Sequence, residues 1–156
     1  MRISEKCIAL VKHFESCFLQ AYKCPAGVWT IGYGHTGKSV TEGLKITGEE
    51  AEIILKSDLD VRETAVSKLI LVKLSQHQFD ALVSFVFNVG IDAFRTSTLL
   101  RKLNLGNYIG AANELPRWCK TKGKVLPGLL RRRKSERHLF LNGELNYFQG
   151  GKTNDR

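Results

Sequence analysis

The sequence predicts an α+β fold, with a small sheet lobe first, then a long connecting helix, then a mostly helical lobe. Three observations carry this. Residues 19–40 are punctuated by Pro25-Ala-Gly27 and then by Gly32, Gly34 and Gly37, the pattern of short strands joined by tight turns. Thr47-Gly-Glu-Glu50 is a capping box, the start signal of a helix. After Asp80, as far as Gly90, the chain is apolar on nearly every face, as in a helix buried at the centre of a helical lobe.

The elements follow in order. Ser4 can cap a helix over residues 5–14, where Cys7, Leu10, Val11 and Phe14 recur at helical spacing. Cys24 precedes Pro25, which biases it to extended backbone. The helix opened by Thr47 is expected over about 48–66. Its acidic start complements the helix dipole, and Ile53, Ile54, Leu55, Leu59 and Val66 form its apolar stripe. Asp58, Asp60, Arg62 and Glu63 are expected to face water. Gly90 ends the central helix. Shorter helices are expected at about 97–104, 107–115 and 128–142, with Pro116 and Pro127 at their edges. The tail from Gln149 reads as frayed.

A chain of 156 residues fits one domain and buries roughly 70% of its unfolded surface, enough for a core without staples. With 24 Lys and Arg against 15 Asp and Glu, the formal charge is +9, which favours a polyanionic partner. Cys7, Cys17, Cys24 and Cys119 show no C-x-x-C spacing, so zinc and thioredoxin chemistry are disfavoured and reduced thiols are expected. No cofactor or metal is expected. The first apolar run, Cys7 to Val11, is too short for a secretion signal and Lys12 interrupts it. No run approaches a membrane span. A cytosolic origin, no stable membrane insertion and a monomeric state are therefore expected.

Glu15, Cys24 and Thr30 form the candidate chemical set. Glu15 ends the first helix, where the negative end of the dipole and the flanking Phe14 and Phe18 both favour a protonated carboxyl, the form a general acid needs. The hairpin that follows carries a thiol and a hydroxyl. The competing reading of Glu15 is a solvated surface residue, and of Cys24 a small buried filler. His35 has no second metal ligand at helical or hairpin spacing, so an ion pair is expected, with Asp58 as its partner. Arg131-Arg-Arg-Lys134 reads either as a solvated helix face or as placing an arginine near Glu15 or near anionic groups. Trp118 reads as a core anchor. Trp29 fits hairpin packing and sugar contact equally.

Glu15, eight residues, Cys24, five residues, Thr30, then Ile31-Gly-Tyr-Gly-His-Thr-Gly37 resembles the active-site signature of phage-type lysozymes (endolysins), muramidases of glycoside hydrolase family 24. The resemblance continues through Gln78–Gly90, Phe94–Leu103, Gly110–Ala112, Arg117-Trp118 and Leu126–Arg133, covering roughly residues 5–142. It implies a lysozyme-like fold with a cleft between the lobes, formed by one catalytic domain over 1–156. The implied lobes are about 15–47 (sheet), 48–67 (connecting helix) and 68–148 (helical), with residues 4–14 packed on the last.

The resemblance further implies hydrolysis of the β-1,4 bond between N-acetylmuramic acid and N-acetylglucosamine in peptidoglycan, causing host lysis. Glu15 would protonate the leaving oxygen, position 24 would work with the attacking water, and Thr30 would orient that water. Phe87 and Ser97 match positions that line the saccharide cleft. The family usually has Asp where this chain has Cys24, which leaves the thiol open as base or anionic stabiliser, as nucleophile, or as neutral spacer. The resemblance also implies accumulation in the host cytoplasm until a holin-type pore releases the enzyme. Two other functions compete. A lytic transglycosylase would need only the single Glu and would leave 1,6-anhydro ends. A nucleic-acid-binding protein would use the Arg131–Lys134 cluster, but no nucleic-acid-binding motif accompanies it, and no nucleic-acid partner is expected.

Overall fold

The computed structural model describes residues 1–148; the tail from Gln149, read as frayed, lies outside them. The first helix, α1 (Glu5–Phe14), starts where Ser4 Oγ accepts a hydrogen bond from Lys6 N–H. Its apolar residues Cys7, Leu10 and Val11 are buried. Two antiparallel strands follow, β1 (Phe18–Lys23) and β2 (Trp29–Gly32), with Tyr22 opposite Thr30 and a bulge between Phe18 and Tyr22. The remainder of this lobe is looped, tied on by single bridges from Gln20 to Lys45 and from Ile31 to His35. Its small core is Ala21, Ile31 and Val40, with Trp29, Leu44 and Ile46 packed around them. Trp29 therefore serves hairpin packing.

The connecting helix α2 (Gly48–Leu69) opens with the complete capping box of Thr47 and Glu50. It runs three residues past the expected end because Leu69 still packs against the helical core. Several of its positions differ from expectation; Asp58 and Arg62, expected to face water, are only partly exposed and line a cleft. Ile53 is 68% exposed, so the apolar stripe is narrower than the hydrophobic pattern suggested. Glu63, expected to face water, is buried; its Oε2 accepts from Ile3 N–H at 2.8 Å and Oε1 lies 3.3 Å from Arg2. The free amide next to the first helix needs an acceptor, and this carboxylate supplies it.

The helical lobe is built on α3 (Gln76–Val89), capped by Ser75 and Gln78 and buried from Phe79 to Val86. It packs against α1, α2 and α7 (Pro127–Asn142). Between them lie α4 (Ile91–Arg95), α5 (Thr98–Asn104), α6 (Tyr108–Glu114) and a 3-10 turn over Leu115–Arg117. Trp118 is half-buried, set edge-on to Phe85 with ring centroids 5.4 Å apart, as an anchor to the core. The short α4 and a hairpin of β3 (Lys120–Thr121) and β4 (Lys124–Val125) were not anticipated. Both are too short to carry a periodic pattern. Among the described residues no helix is long and apolar enough to cross a membrane.

Candidate active site

Glu15 is the residue at which α1 stops. Its backbone turns extended while its N–H still bonds to Val11 C=O, so the side chain leaves the helix end toward the hairpin. There it lines a cleft of about 320 Å³ with Tyr33, His35, Asp58, Arg62, Phe87 and Asn88 among others. The side chain is 24% exposed, reachable yet largely enclosed. Gly34 has φ +85°, and a Cβ there would stand 3.9 Å from Glu15 Oε2. Glycine thus allows the left-handed turn after β2 that brings this loop beside the acid.

The sequence offered an arginine of the 131–133 run near Glu15 without saying which, and the structure places Arg132 there. Arg132 Nη1 donates to Glu15 Oε1 at 2.7 Å, and Arg132 is only 3% exposed. Its other Nη donates to Ser84 C=O at 3.2 Å. Arg132 and Arg133 are buried while Lys134 is exposed, so the basic run is not one solvated face. The Arg132 to Glu136 spacing of four residues was the signal available, since it places opposite charges on one helix face.

Cys24 and Thr30 come together across the β1–β2 turn. Backbone hydrogen bonding at Val28 and then at Ala26 holds the Cys24 thiol below its ordinary value, against the opposing effect of desolvation and with a smaller contribution from Thr30. The Thr30 hydroxyl is buried and donates to Val28 C=O at 3.0 Å. No hydrogen bond joins Glu15 to Cys24 or Thr30 among the described residues. Glu15 shares the cleft with Gly34 and His35 of the following loop, and His35 pairs in the backbone with Ile31, the neighbour of Thr30.

The remaining expectations divide. Phe87 lines the cleft, with the Arg62 guanidinium 5.4 Å from its ring centroid. Ser97 lies away from this cleft, at the start of α5. Its hydroxyl donates to Phe94 C=O at 2.7 Å and accepts from Leu100 N–H at 3.1 Å, so it is committed to capping. Tyr33, Arg62 and Asn88 line the cleft without having been singled out, because nothing in their local pattern distinguishes them from packing or solvated residues. Burial first, then the neighbouring Cys17 thiol, push the Tyr33 phenol up, and it remains neutral at pH 7.

His35 Nδ1 and Asp58 Oδ2 are 2.8 Å apart, joining the hairpin lobe to α2 as expected. Both side chains are about three-quarters buried. Asp58→Asn is expected to lower stability by about 1.5–3 kcal/mol, the range for hydrogen bonds to charged groups. Thermal unfolding by circular dichroism reads this as a Tm drop of several degrees. An unchanged Tm would show that the contact is not stabilising.

Comparisons with known proteins place the chain in a family. A family model described as Phage lysozyme matches residues 12–136. The endolysin of Acyrthosiphon pisum secondary endosymbiont phage 1 is 49% identical over 144 residues, covering 90% of this chain and 98% of that protein. The solved muramidase domain of SpmX from Asticaccaulis excentricus superposes with a TM-score of 0.84 at 45% identity, covering 90% of this chain and 97% of that one. A P22 lysozyme mutant superposes with a TM-score of 0.81 at 46% identity, covering 90% and 99%. Further relatives, at 40–43% identity, are SAR-endolysins. A model matched over most of the chain and relatives nearly half identical along their whole length establish that the chain belongs to the phage lysozyme family.

Proposed function

We propose that this protein is an endolysin that hydrolyses the β-1,4 bond between N-acetylmuramic acid and N-acetylglucosamine in peptidoglycan, acting as a monomer to lyse the host. The observation that carries the reading is Glu15: a carboxyl at the floor of a cleft, held by a buried arginine 2.7 Å away. Glu15 protonates the glycosidic oxygen as the C1–O bond breaks. A water held by Thr30 attacks C1 and gives its proton to the Cys24 thiolate. The products are a free alcohol and a reducing-end sugar, and the enzyme resets when the thiol returns its proton and Glu15 regains one from solvent. The thiolate role is supported by the lowering of the Cys24 thiol by its hairpin surroundings, the Val28 backbone first. Phe87 supplies an apolar wall for a sugar ring. Ser97, at the start of α5, would contribute to saccharide binding only at a more distant subsite.

The basic charge suits the anionic envelope. The enzyme is proposed to reach the wall from the cytoplasm through a holin-type pore. Expression in cells with and without a co-expressed holin tests this route, because lysis without the holin would point to self-export.

Product analysis tests the reaction. Mass spectrometry of muropeptides from purified peptidoglycan is expected to show reducing-end sugars. A population of 1,6-anhydro ends would instead identify a lytic transglycosylase, in which the sugar's own hydroxyl attacks and Cys24 has no water to activate.

A further inference from the structure

Glu15 and Asn88 both line the cleft, and a buried chain of contacts connects them beneath its floor. Glu15 meets Arg132 at 2.7 Å. Arg132 Nε lies 3.5 Å from Glu136 Oε2, and Glu136 Oε1 lies 3.1 Å from Arg133 Nη1. Arg133 Nη2 then donates to Asn88 Oδ1. Ser84 Oγ adds a hydrogen bond to Glu136 Oε2 at 2.8 Å. Glu136 and Arg133 are fully buried, and neither lines the cleft.

As a stabilising device this cluster is poor. Arg132 Nε, Arg133 Nε and Nη1, Ser135 Oγ and Glu136 Oε1 are all buried without a well-aligned hydrogen-bond partner. Buried ions so incompletely matched contribute little net stability, and apolar residues of like volume often do as well. Burial works against the charge on Arg133 and Glu136 supports it. The arrangement makes sense if its output lies at the two cleft residues it connects.

We propose that Glu136 and Arg133 are positioning residues: through Arg132 and Asn88 they hold the cleft floor and set the charge balance against which Glu15 gives up its proton. This rests on the reading of Glu15 as the proton donor. The cluster holds two guanidinium groups and two carboxylates, so it is neutral with Glu15 ionised and carries one positive charge with Glu15 protonated. Other groups facing Glu15 are Tyr33 and His35 from the hairpin lobe, Asp58 and Arg62 from α2, and the neutral Asn88 from α3. Around Glu136 and Arg133 stand Ser84 from α3, Cys119, and Cys7 from α1. Burial first, then Asp80 and Glu136, push the Cys7 thiol far up, so it stays neutral.

The test is the pH dependence of the wall-clearing rate in variants of the full chain. Glu136→Gln keeps the shape and removes one negative charge, so Glu15 ionises more readily. The alkaline limb of activity is expected to move to lower pH by roughly one unit. Arg133→Gln removes a positive charge and is expected to move the same limb to higher pH. The double variant restores the balance and should return the limb to the wild-type position. Ser84→Ala changes no charge and should lower Tm without moving the limb. If one single variant does not fold, the other decides the sign.

An unmoved limb in a folded single variant, or two limbs moving the same way, would overturn the proposal and leave these residues merely structural. The underlying reading fails separately: an active Glu15→Gln enzyme would discard Glu15 as the donor whatever the limbs do.

Discussion

Glu15→Gln is expected to lower kcat by about 10²–10⁴, the usual contribution of a positioned acid, and to leave no measurable clearing of outer-membrane-permeabilised bacteria. The substitution is nearly isosteric. The amide oxygen can still accept from Arg132 Nη1, and the α1 terminus, defined by the Glu15 backbone bond to Val11, is untouched. What is lost is the acidic proton. Without it the leaving sugar oxygen departs as an alkoxide, and nothing else facing the cleft compensates. Asp58, the other carboxyl at the cleft, is engaged by His35 at 2.8 Å. The measurement pairs turbidity loss with a thermal scan, so that a folded, inactive protein is distinguished from an unfolded one. Activity within a few-fold of wild type in a folded variant would remove Glu15 from the mechanism.

Cys24 is expected to respond in opposite ways to two small substitutions. Cys24→Ser replaces a thiol held below its ordinary value with an alcohol that does not ionise near neutral pH, and a loss of about 10²-fold or more is expected if the sulfur acts as base. Cys24→Asp is expected to retain substantial activity, because the hairpin surroundings that lower the thiol, the Val28 backbone first, can favour a carboxylate in the same way. The sign of its pH effect follows. A base works in its ionised form, so activity on the acid side falls as pH drops through its pKa. An ordinary Asp ionises near pH 4, well below a thiol. The Asp variant should therefore extend activity to lower pH, while its alkaline limb stays where Glu15 sets it. Full activity in Cys24→Ser would reduce the thiol to a spacer that shapes the water site.

Most of the fold was legible because its signals are local. Ser4 and Thr47 each cap the helix they precede, and Gly90 stands at the end of α3. The apolar density after Asp80 marks a central helix because no face is left for water. Where the reading failed, the deciding contact was remote. Glu63 looks solvated in its own helix and is buried because Ile3, sixty residues earlier, brings an amide to it. The loop elements α4 and β3–β4 carry too few residues for periodicity to register.

The site divides in the same way. Glu15 was legible as a helix end and Cys24 and Thr30 as the two sides of a tight hairpin, but only Glu15 of the three lines the cleft. The His35–Asp58 link was accessible for a related reason, since each residue lies on a recognisable element with an unmatched charge.

By itself the sequence determined the order of helices and hairpin, the acid at the end of the first helix, and the family resemblance, because backbone propensity, capping and motif spacing act within a few residues. Only the tertiary structure decided that Arg132, 117 residues from Glu15, is the arginine beneath it, that Ser97 caps a helix away from the cleft, and that Glu136 joins two buried cations. Those choices depend on which faces of α3 and α7 meet, and on the cost of burying a charge without a partner, neither of which any local stretch of chain specifies.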